Sequence, residues 1–511
     1  MRAALLRDPV LYGVALFAIL VCAPVFRYLG WLGDEGILLH GATRLLAGDT
    51  LYRDYFEVVP PGSFVMVAGW MKVFGAGFGS ARVFSVGVIG LIAALLYCTT
   101  VLAAGNRLLA ALLAIAWATR APFDNSHHWL TTAASMATAV ALFLALAGHG
   151  RGLTMFVAGL FAGAAATFTQ TRGALLCAAL VVVLAVVAAA RPRLPSALAG
   201  IAVLPGAAIV YLVVTGAVGP AAADLLAFPA FRYAGVQAVP FGSFATWKDA
   251  LPVAIFPVTF GLAGVVFAID RDRAGWREVR VTAALALALI GLLGAFPRAD
   301  VAHLNYTAPL ACPLFAIVTT RLLRRLTPGA ARAVGVLGTA ACLAAVGFVV
   351  VLRMQVAAGP LTAVSTPRGV AVRLPGPLTD ELARLLVEIA RVPRGEDFFF
   401  YPYVPMLAYL TERRHVGALD VFVPGYTTPE RFRETCVRVV GGAQWLVVDK
   451  SWSDPRKLGA IFPAMKDPNP PEKRAFETAL AQAFGTAVHA SPVFELRRRS
   501  ADATVALCRV P

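Results

Sequence analysis

The chain has 511 residues, 59% of them hydrophobic and only 14% charged, against about 45–50% and about 25% in ordinary globular domains. With a mean hydropathy of +0.73, that composition excludes a soluble protein and indicates a polytopic membrane protein. The formal charge of +16, carried by 39 arginines and only 6 lysines against 29 acids, would by itself raise nucleic acid or acidic partners. Where the charge sits decides between these readings.

Arg2 and Arg7 precede an apolar run, Val10 to Leu29, with no A-x-A-like cleavage site after it, so the run reads as an uncleaved first transmembrane helix. A span takes about 20 mostly apolar residues. Spans are predicted at 9–29, 80–103, 107–119, 130–148, 153–169, 174–190, 197–217, 251–269, 280–296, 305–320 and 331–352, eleven in all, with 107–119 short. Residues 61–75 are apolar too, but the Pro60-Pro61 start and the short run predict a juxtamembrane or re-entrant helix. Outer juxtamembrane helices are thus expected within 34–78.

With the N-terminus cytoplasmic, the cytoplasmic connections carry fourteen basic residues, among them Arg2, Arg7, Arg151, Arg271, Arg273, Arg277 and Arg332. Four acids oppose them (Asp8, Asp270, Asp272, Glu278), a net of +10. The opposite loops hold ten basic and nine acidic residues, a net of +1, and residues 353–511 hold 21 and 16, a net of +5. Most of the charge is therefore a positive-inside signal, and nucleic acid is excluded as its explanation.

An odd number of spans puts residues 353–511 outside. This tail is polar and alternates helix-like and strand-like pieces: a helix at 378–391 before the strand Phe398–Tyr401, a helix from Pro429 before the strand Trp445–Val448, and a helix at 471–484 before Val493–Leu496. The pattern predicts a small α/β domain, giving a membrane unit at 1–352 and an extracytoplasmic unit at 353–511. Cys22, Cys98, Cys177, Cys312 and Cys342 lie in apolar runs, where cysteine acts as a small hydrophobe. Cys436 and Cys508 lie in the tail, free or, in an oxidising compartment, paired.

The polar residues gather on the outer face. The first outer loop opens with Asp34-Glu35, an adjacent pair able to supply a general base, or equally the acidic first turn of an interfacial helix over 36–47. It continues through Arg53 and Asp54. The second outer loop, Arg120 to Trp129, holds Asp124, His127 and His128, which read as metal ligands, substrate contacts or plain loop residues. The third turn carries Gln170 and Arg172, the latter a phosphate contact or a snorkelling anchor. The late loop carries Arg298, Asp300 and His303, which read as a phosphate grip or an internal ion pair, and loop 218–250, with Arg232, Tyr233, Gln237 and Lys248, reads as a lid or an acceptor-binding segment. No Walker, GxGxxG or HExxH pattern occurs.

Asp34-Glu35 after the first span, the stretch LLAGDTLYRDYFEVVPPGSF and a second span opening Ala81-Arg82-Val83-Phe84-Ser85 resemble the GT-C superfamily of integral-membrane glycosyltransferases. The resemblance is to its bacterial family-39-like branch, which includes relatives of protein mannosyltransferases and of the aminoarabinose transferase. FPRADVAHLNYTAP is similar to the phosphate-side loop of bacterial members, and the tail FFFYPYVPMLAYLTERR to that of uncharacterised ones. The resemblance implies an all-α membrane bundle with a C-terminal domain, in the bacterial cytoplasmic membrane. It also implies an inverting transfer from a polyprenyl-phosphate sugar to a glycan, glycolipid or protein hydroxyl on the extracytoplasmic side. By it Asp34 is the general base, with Glu35 supporting it or positioning the acceptor. Asp124 is the second acidic position, and Arg172, Arg298 and His303 hold the lipid phosphate. His127 and His128 replace a further acidic motif, leaving a divalent cation open. A transporter or flippase of lipid-linked sugars is the alternative; it would need inverted repeats, and none is seen.

Overall fold

The computed structural model describes residues 5–120, 124–148, 151–188, 190–243, 246–250, 253–270, 275–452 and 454–508. The cytoplasmic charges assigned to Arg2, Arg271, Asp272 and Arg273 lie outside these, as do parts of the predicted loops 120–129, 149–152 and 218–250 and of the predicted spans 174–190 and 251–269. The side chains of Arg151, Lys248 and Arg277 are likewise not described.

Helix follows helix through the first 358 residues: α1 (Pro9–Cys22), α2 (Asp34–Leu46), α3 (Pro61–Phe74), α4 (Phe78–Ala104), α5 (Arg107–Arg120), α6 (His127–Leu146), α7 (Arg151–Phe168), α8 (Gln170–Val186) and α9 (Leu194–Val214). Short helical and π-helical turns over 218–237 precede α10 (Ile255–Ile269), α11 (Val279–Leu293), α12 (Val301–Thr307), α13 (Cys312–Leu323) and α14 (Pro328–Ala358). Among the described residues each of the eleven apolar runs read from the sequence overlaps a helix. Among the described residues, four helices are long and apolar enough to cross a membrane (Phe78–Ala104, His127–Leu146, Arg191–Val214 and Pro328–Ala358), and a fifth if the 60° bend joining α12 to α13 falls within one span. By length and composition, four or five of the eleven predicted spans thus qualify among the described residues. Pro309 and Pro313, each without an amide hydrogen to donate, flank that bend.

Helices α7 and α9 approach backbone to backbone. A methyl group on Gly159 would meet the Ala197 carbonyl oxygen at 2.1 Å, and one on Gly200 the Phe156 oxygen at 2.1 Å. Small residues permit the dispersion contacts that hold helices together where lipid removes the hydrophobic drive. The α14 helix exposes Val336, Leu337, Phe348 and Val351, a surface suited to hydrocarbon.

The tail folds as predicted in outline, with additions. A hairpin β1 (Thr362–Thr366) and β2 (Gly369–Arg373) precedes α15 (Pro377–Arg391), β3 (Phe398–Tyr401), α16 (Pro405–Thr411), α17 (Pro429–Gly442), β4 (Trp445–Asp449), α18 (Pro455–Ile461), α19 (Pro471–Ala483), β5 (Thr486–Ala490) and β6 (Phe494–Arg498). The sheet order is β3-β4-β6-β5, with β3 and β4 parallel and the other pairs antiparallel. This α/β unit is fastened to the outer helices. Leu29 N donates to Val372 O at 2.8 Å and Phe56 N to Ala418 O at 2.8 Å. One apolar core contains Leu38, Leu39 and Phe64 together with Leu382, Phe398 and Met406.

Cys436, on α17, and Cys508 form a disulfide across 72 residues. Loop-closure entropy makes such a bond worth about 4 kcal/mol. Reduction is therefore expected to lower the unfolding midpoint of the wild-type protein, while a C508S variant starts from the lower midpoint and does not respond to reductant. Thermal unfolding with and without reductant checks this.

Candidate active site

The first turn of α2 carries Asp34 and Glu35 at a helix N-terminus whose dipole favours acids, and the two side chains turn to opposite tasks. Glu35 is buried at 6% exposure. It accepts from Arg82 Nη2 on α4 at 2.7 Å, and from Asn125 N and Nδ2 at 3.1 and 2.9 Å. It is a strut joining α2, α4 and the loop before α6. Asp34 instead faces a cavity of about 230 Å³ and accepts a hydrogen bond from the Tyr403 hydroxyl. Burial, and then the adjacent Asp34 charge, raise the Tyr403 phenol far above its ordinary value; it keeps its proton and serves as donor.

The same cavity is lined by Trp31, Ser126, His127, His128, Tyr233, Gln237, Arg298, Asp300, His303, Tyr306 and Tyr426. Arg298 is held on three sides, donating from Nε to Asp300 Oδ2 at 2.7 Å, from Nη1 to Gln237 Oε1 at 2.6 Å and from Nη2 to Ile461 O at 3.2 Å. Asp300 caps α12, accepting from His303 N at 2.9 Å and His303 Nδ1 at 2.7 Å. Burial works against its charge, yet the His303 contacts and Arg298 outweigh it and hold the carboxyl well below the usual carboxylate range. The internal ion pair read as one of the two alternatives for Arg298 and Asp300 is present.

Behind this wall lies Arg172, 1% exposed, with Nη2 donating to His128 Nδ1 at 3.3 Å and to Gly294 O at 3.4 Å. Its Nη1 is buried without a hydrogen-bond partner among the described residues. Asp124 accepts from Trp129 Nε1 at 3.1 Å and from the Tyr306 hydroxyl at 3.4 Å, one layer behind the lining. Gln170 Nε2 donates to Val58 O at 2.8 Å and so fixes a segment of the cavity wall. Arg53 and Asp54 pair with each other at 3.0 Å beside a different hollow, of about 360 Å³. The sequence reading thus brings Asp34, His127, His128, Arg298, Asp300 and His303 into one cavity, sets Glu35, Asp124, Gln170 and Arg172 around it, and leaves Arg53 and Asp54 apart.

Tyr403, Tyr426 and Phe462 come from the α/β unit and were not singled out from sequence. Tyr403 stands just past the C-terminal end of β3, where sheets with parallel strands place binding groups. An aromatic strand ending Tyr401-Pro402-Tyr403 was the available signal. An apolar groove of about 650 Å³, lined by Met66, Phe84, Leu91, Leu130 and Leu153, runs beside α4, α6 and α7. Its upper end lies next to the cavity in sequence, since Phe64 and His127 line the cavity while Met66 and Leu130 line the groove.

No family model and no curated relative matches the sequence. Solved structures do. The chain is similar to ArnT from Cupriavidus metallidurans bound to undecaprenyl phosphate, with 14% identity, coverage of 97% of this chain and 98% of that one, and a TM-score of 0.54; the same values hold for its apo state. It is also similar to the Archaeoglobus fulgidus oligosaccharyltransferase in complex with Zn and sulfate, with 11% identity, coverage of 96% and 73%, and a TM-score of 0.53. The chain has the GT-C fold.

Within this fold one cavity holds Asp34 together with Arg298, Asp300 and His303. Among the described residues no group of three or more His, Cys, Asp or Glu side chains could hold a metal ion. Two predictions follow from the geometry. Glu35→Gln removes the carboxylate that accepts from the buried Arg82 at 2.7 Å and is expected to cost about 3–5 kcal/mol of stability, read by thermal unfolding in detergent. Burial, and then the Glu35 charge, push the Asp124 carboxyl up to about 6. A raised acid binds more protons folded than unfolded, so its contribution is full below the unfolded value near 3.8 and is lost as pH rises through about 6. Asp124→Asn is expected to flatten that decline in a melting series from pH 4.5 to 7.

Proposed function

We propose that the protein is a membrane glycosyltransferase that moves a sugar from a polyprenyl-phosphate donor to an acceptor hydroxyl, with inversion at the anomeric carbon and Asp34 as general base. The observation that carries this reading is Asp34 lining one small cavity with Arg298 and His303, in a chain with the GT-C fold. The fold neighbour bound to undecaprenyl phosphate supports the donor class.

The chemistry follows from the residues. Tyr403 engages Asp34 Oδ1, leaving Oδ2 to take the proton of the acceptor hydroxyl as its oxygen attacks the anomeric carbon. The bond from that carbon to the phosphate oxygen breaks on the opposite face. A departing phosphate needs charge stabilisation more than a proton, which suits a guanidinium; Arg298 and His303 supply it, and Arg172 backs His128. The prenyl chain lies in the apolar groove while the head group enters the cavity.

Zinc accompanies the archaeal neighbour. Here the cavity carboxylates are engaged by Tyr403 and by Arg298 and His303, a donor set already committed to protein partners, and no step is routed through a divalent cation. In this reading residues 1–352 form the catalytic membrane unit and 353–511 the outer unit, with the N-terminus cytoplasmic and the cavity on the extracytoplasmic side of a bacterial cytoplasmic membrane. The acceptor is a glycan, glycolipid or protein hydroxyl.

Asp34→Asn is expected to lower transfer from a polyprenyl-phosphate sugar by about 10³-fold, with the melting midpoint within a degree or two of wild type. Turnover at the wild-type rate by the folded variant would remove Asp34 from the role of base.

A further inference from the structure

A second polar cavity lies on another flank of α2, where the helix meets the α/β unit. Its volume is about 920 Å³, and its walls include His40, Arg44, Arg368, Arg414 and Arg438. The four carboxylates that line it are each matched by an arginine: Asp49 by Arg44 at 2.7 Å, Asp397 by Arg414 at 3.3 Å, Glu412 by Arg368 at 3.2 Å, and Asp54 by Arg53 at 3.0 Å. Arg438 has no carboxylate partner among the described residues. Its one hydrogen bond is a 3.4 Å contact with the Asp54 carbonyl oxygen.

His40 supplies the second observation. It is 5% exposed, and its Nδ1 lies 2.9 and 3.1 Å from the two carboxylate oxygens of Asp420. A carboxylate only accepts, so Nδ1 carries the proton and the ring orientation is fixed. Nε2 is left without a partner among the described residues, on a ring that lines the cavity. Asp420 is wedged between His40 and His415, whose Nε2 stands 3.7 Å from Oδ1. The ring is braced from behind by Asp420, and its second nitrogen has no protein partner among the described residues, beside an opening that also holds Arg438.

We propose that this cavity binds an anionic saccharide, its phosphate or carboxylate group held by His40 Nε2 and the Arg438 guanidinium. The volume is that of a small-molecule site and exceeds what a bare ion fills. The paired arginines and carboxylates of the wall present both donors and acceptors, as sugar hydroxyls require. Ala47, Ala408, Val416 and Gly442 are the small apolar members of the lining, too few to seat a lipid chain. The inference does not rest on the transferase reading, since binding is measured without turnover. It places a second ligand on the helix that carries Asp34.

The test is isothermal titration of the full-length protein in nanodiscs with glucose 6-phosphate, glucuronate, inorganic phosphate and glucose. Saturable binding of glucose 6-phosphate or glucuronate is expected, about tenfold or more tighter than inorganic phosphate or glucose, and the charged sugar that binds identifies the anionic group. Arg438→Gln, at an exposed position, is expected to weaken binding about tenfold, as is His40→Gln, while Arg298→Gln in the first cavity leaves it unchanged. Absence of saturable binding by both charged sugars overturns the proposal. So do affinity no better than that of phosphate or glucose, wild-type affinity in Arg438→Gln, and loss of binding in Arg298→Gln.

Discussion

The buried pair between Glu35 and Arg82 organises everything above it. Two charges removed from water persist only if each finds its counter-charge and the remaining hydrogen-bonding capacity is filled. Glu35 meets that condition with Arg82 on one oxygen and Asn125 on the other. Three elements distant in sequence are thereby held in register: the outer helix α2, the long helix α4 and the loop leading into α6. The neighbouring residue on the helix, rotated by about 100°, is then pointed into the cavity. Asp34 owes its direction to the acid beside it.

The same helix is gripped from above. Gly36 lies so close to α16 that a methyl group there would stand 2.1 Å from Met406 N, and Met406 N donates to Leu32 O at 3.1 Å. This contact brings the segment after β3, and with it Tyr403, against Asp34. The cavity is therefore a composite, with Asp34, Arg298 and His303 from helix ends and loops of the first 358 residues and Tyr403, Tyr426 and Phe462 from the α/β unit. Ile461 O reaching Arg298 Nη2 at 3.2 Å ties the late loop into the same arrangement, and Val239 N bonding Pro297 O at 2.9 Å adds the segment after α9.

Helix positions were legible in the sequence because an apolar run is a one-dimensional signal. The bend between α12 and α13 was not read, although Pro309 and Pro313 marked it. The strands Phe398–Tyr401 and Trp445–Asp449 were visible as buried aromatic and aliphatic runs. The edge strand β5, Thr486–Ala490, was not, since it is largely exposed and lacks that density. At the site, charge patterning showed which loops share a face, so Asp34, Arg298 and His303 were found together. It carried no information on side-chain direction, and so gave Glu35 and Arg172 the same standing as residues that line the cavity. It gave Arg53 and Asp54, which pair apart from it, that standing as well. Tyr403 escaped because its partner is 369 residues earlier in the chain.

The composite cavity also bears on how the molecule comes into being. Synthesis proceeds from the N-terminus, so α1 to α14 are complete while Tyr403, Tyr426, Ile461 and Phe462 are still to be made. During that interval Asp34 lacks the Tyr403 hydroxyl that donates to it and Arg298 lacks its contact with Ile461. The disulfide partner Cys508 follows Cys436 by 72 residues and emerges later still. A nascent chain can therefore hold α1 to α14 and still lack a finished cavity, whose lining is complete only once the segment through Phe462 has folded against them.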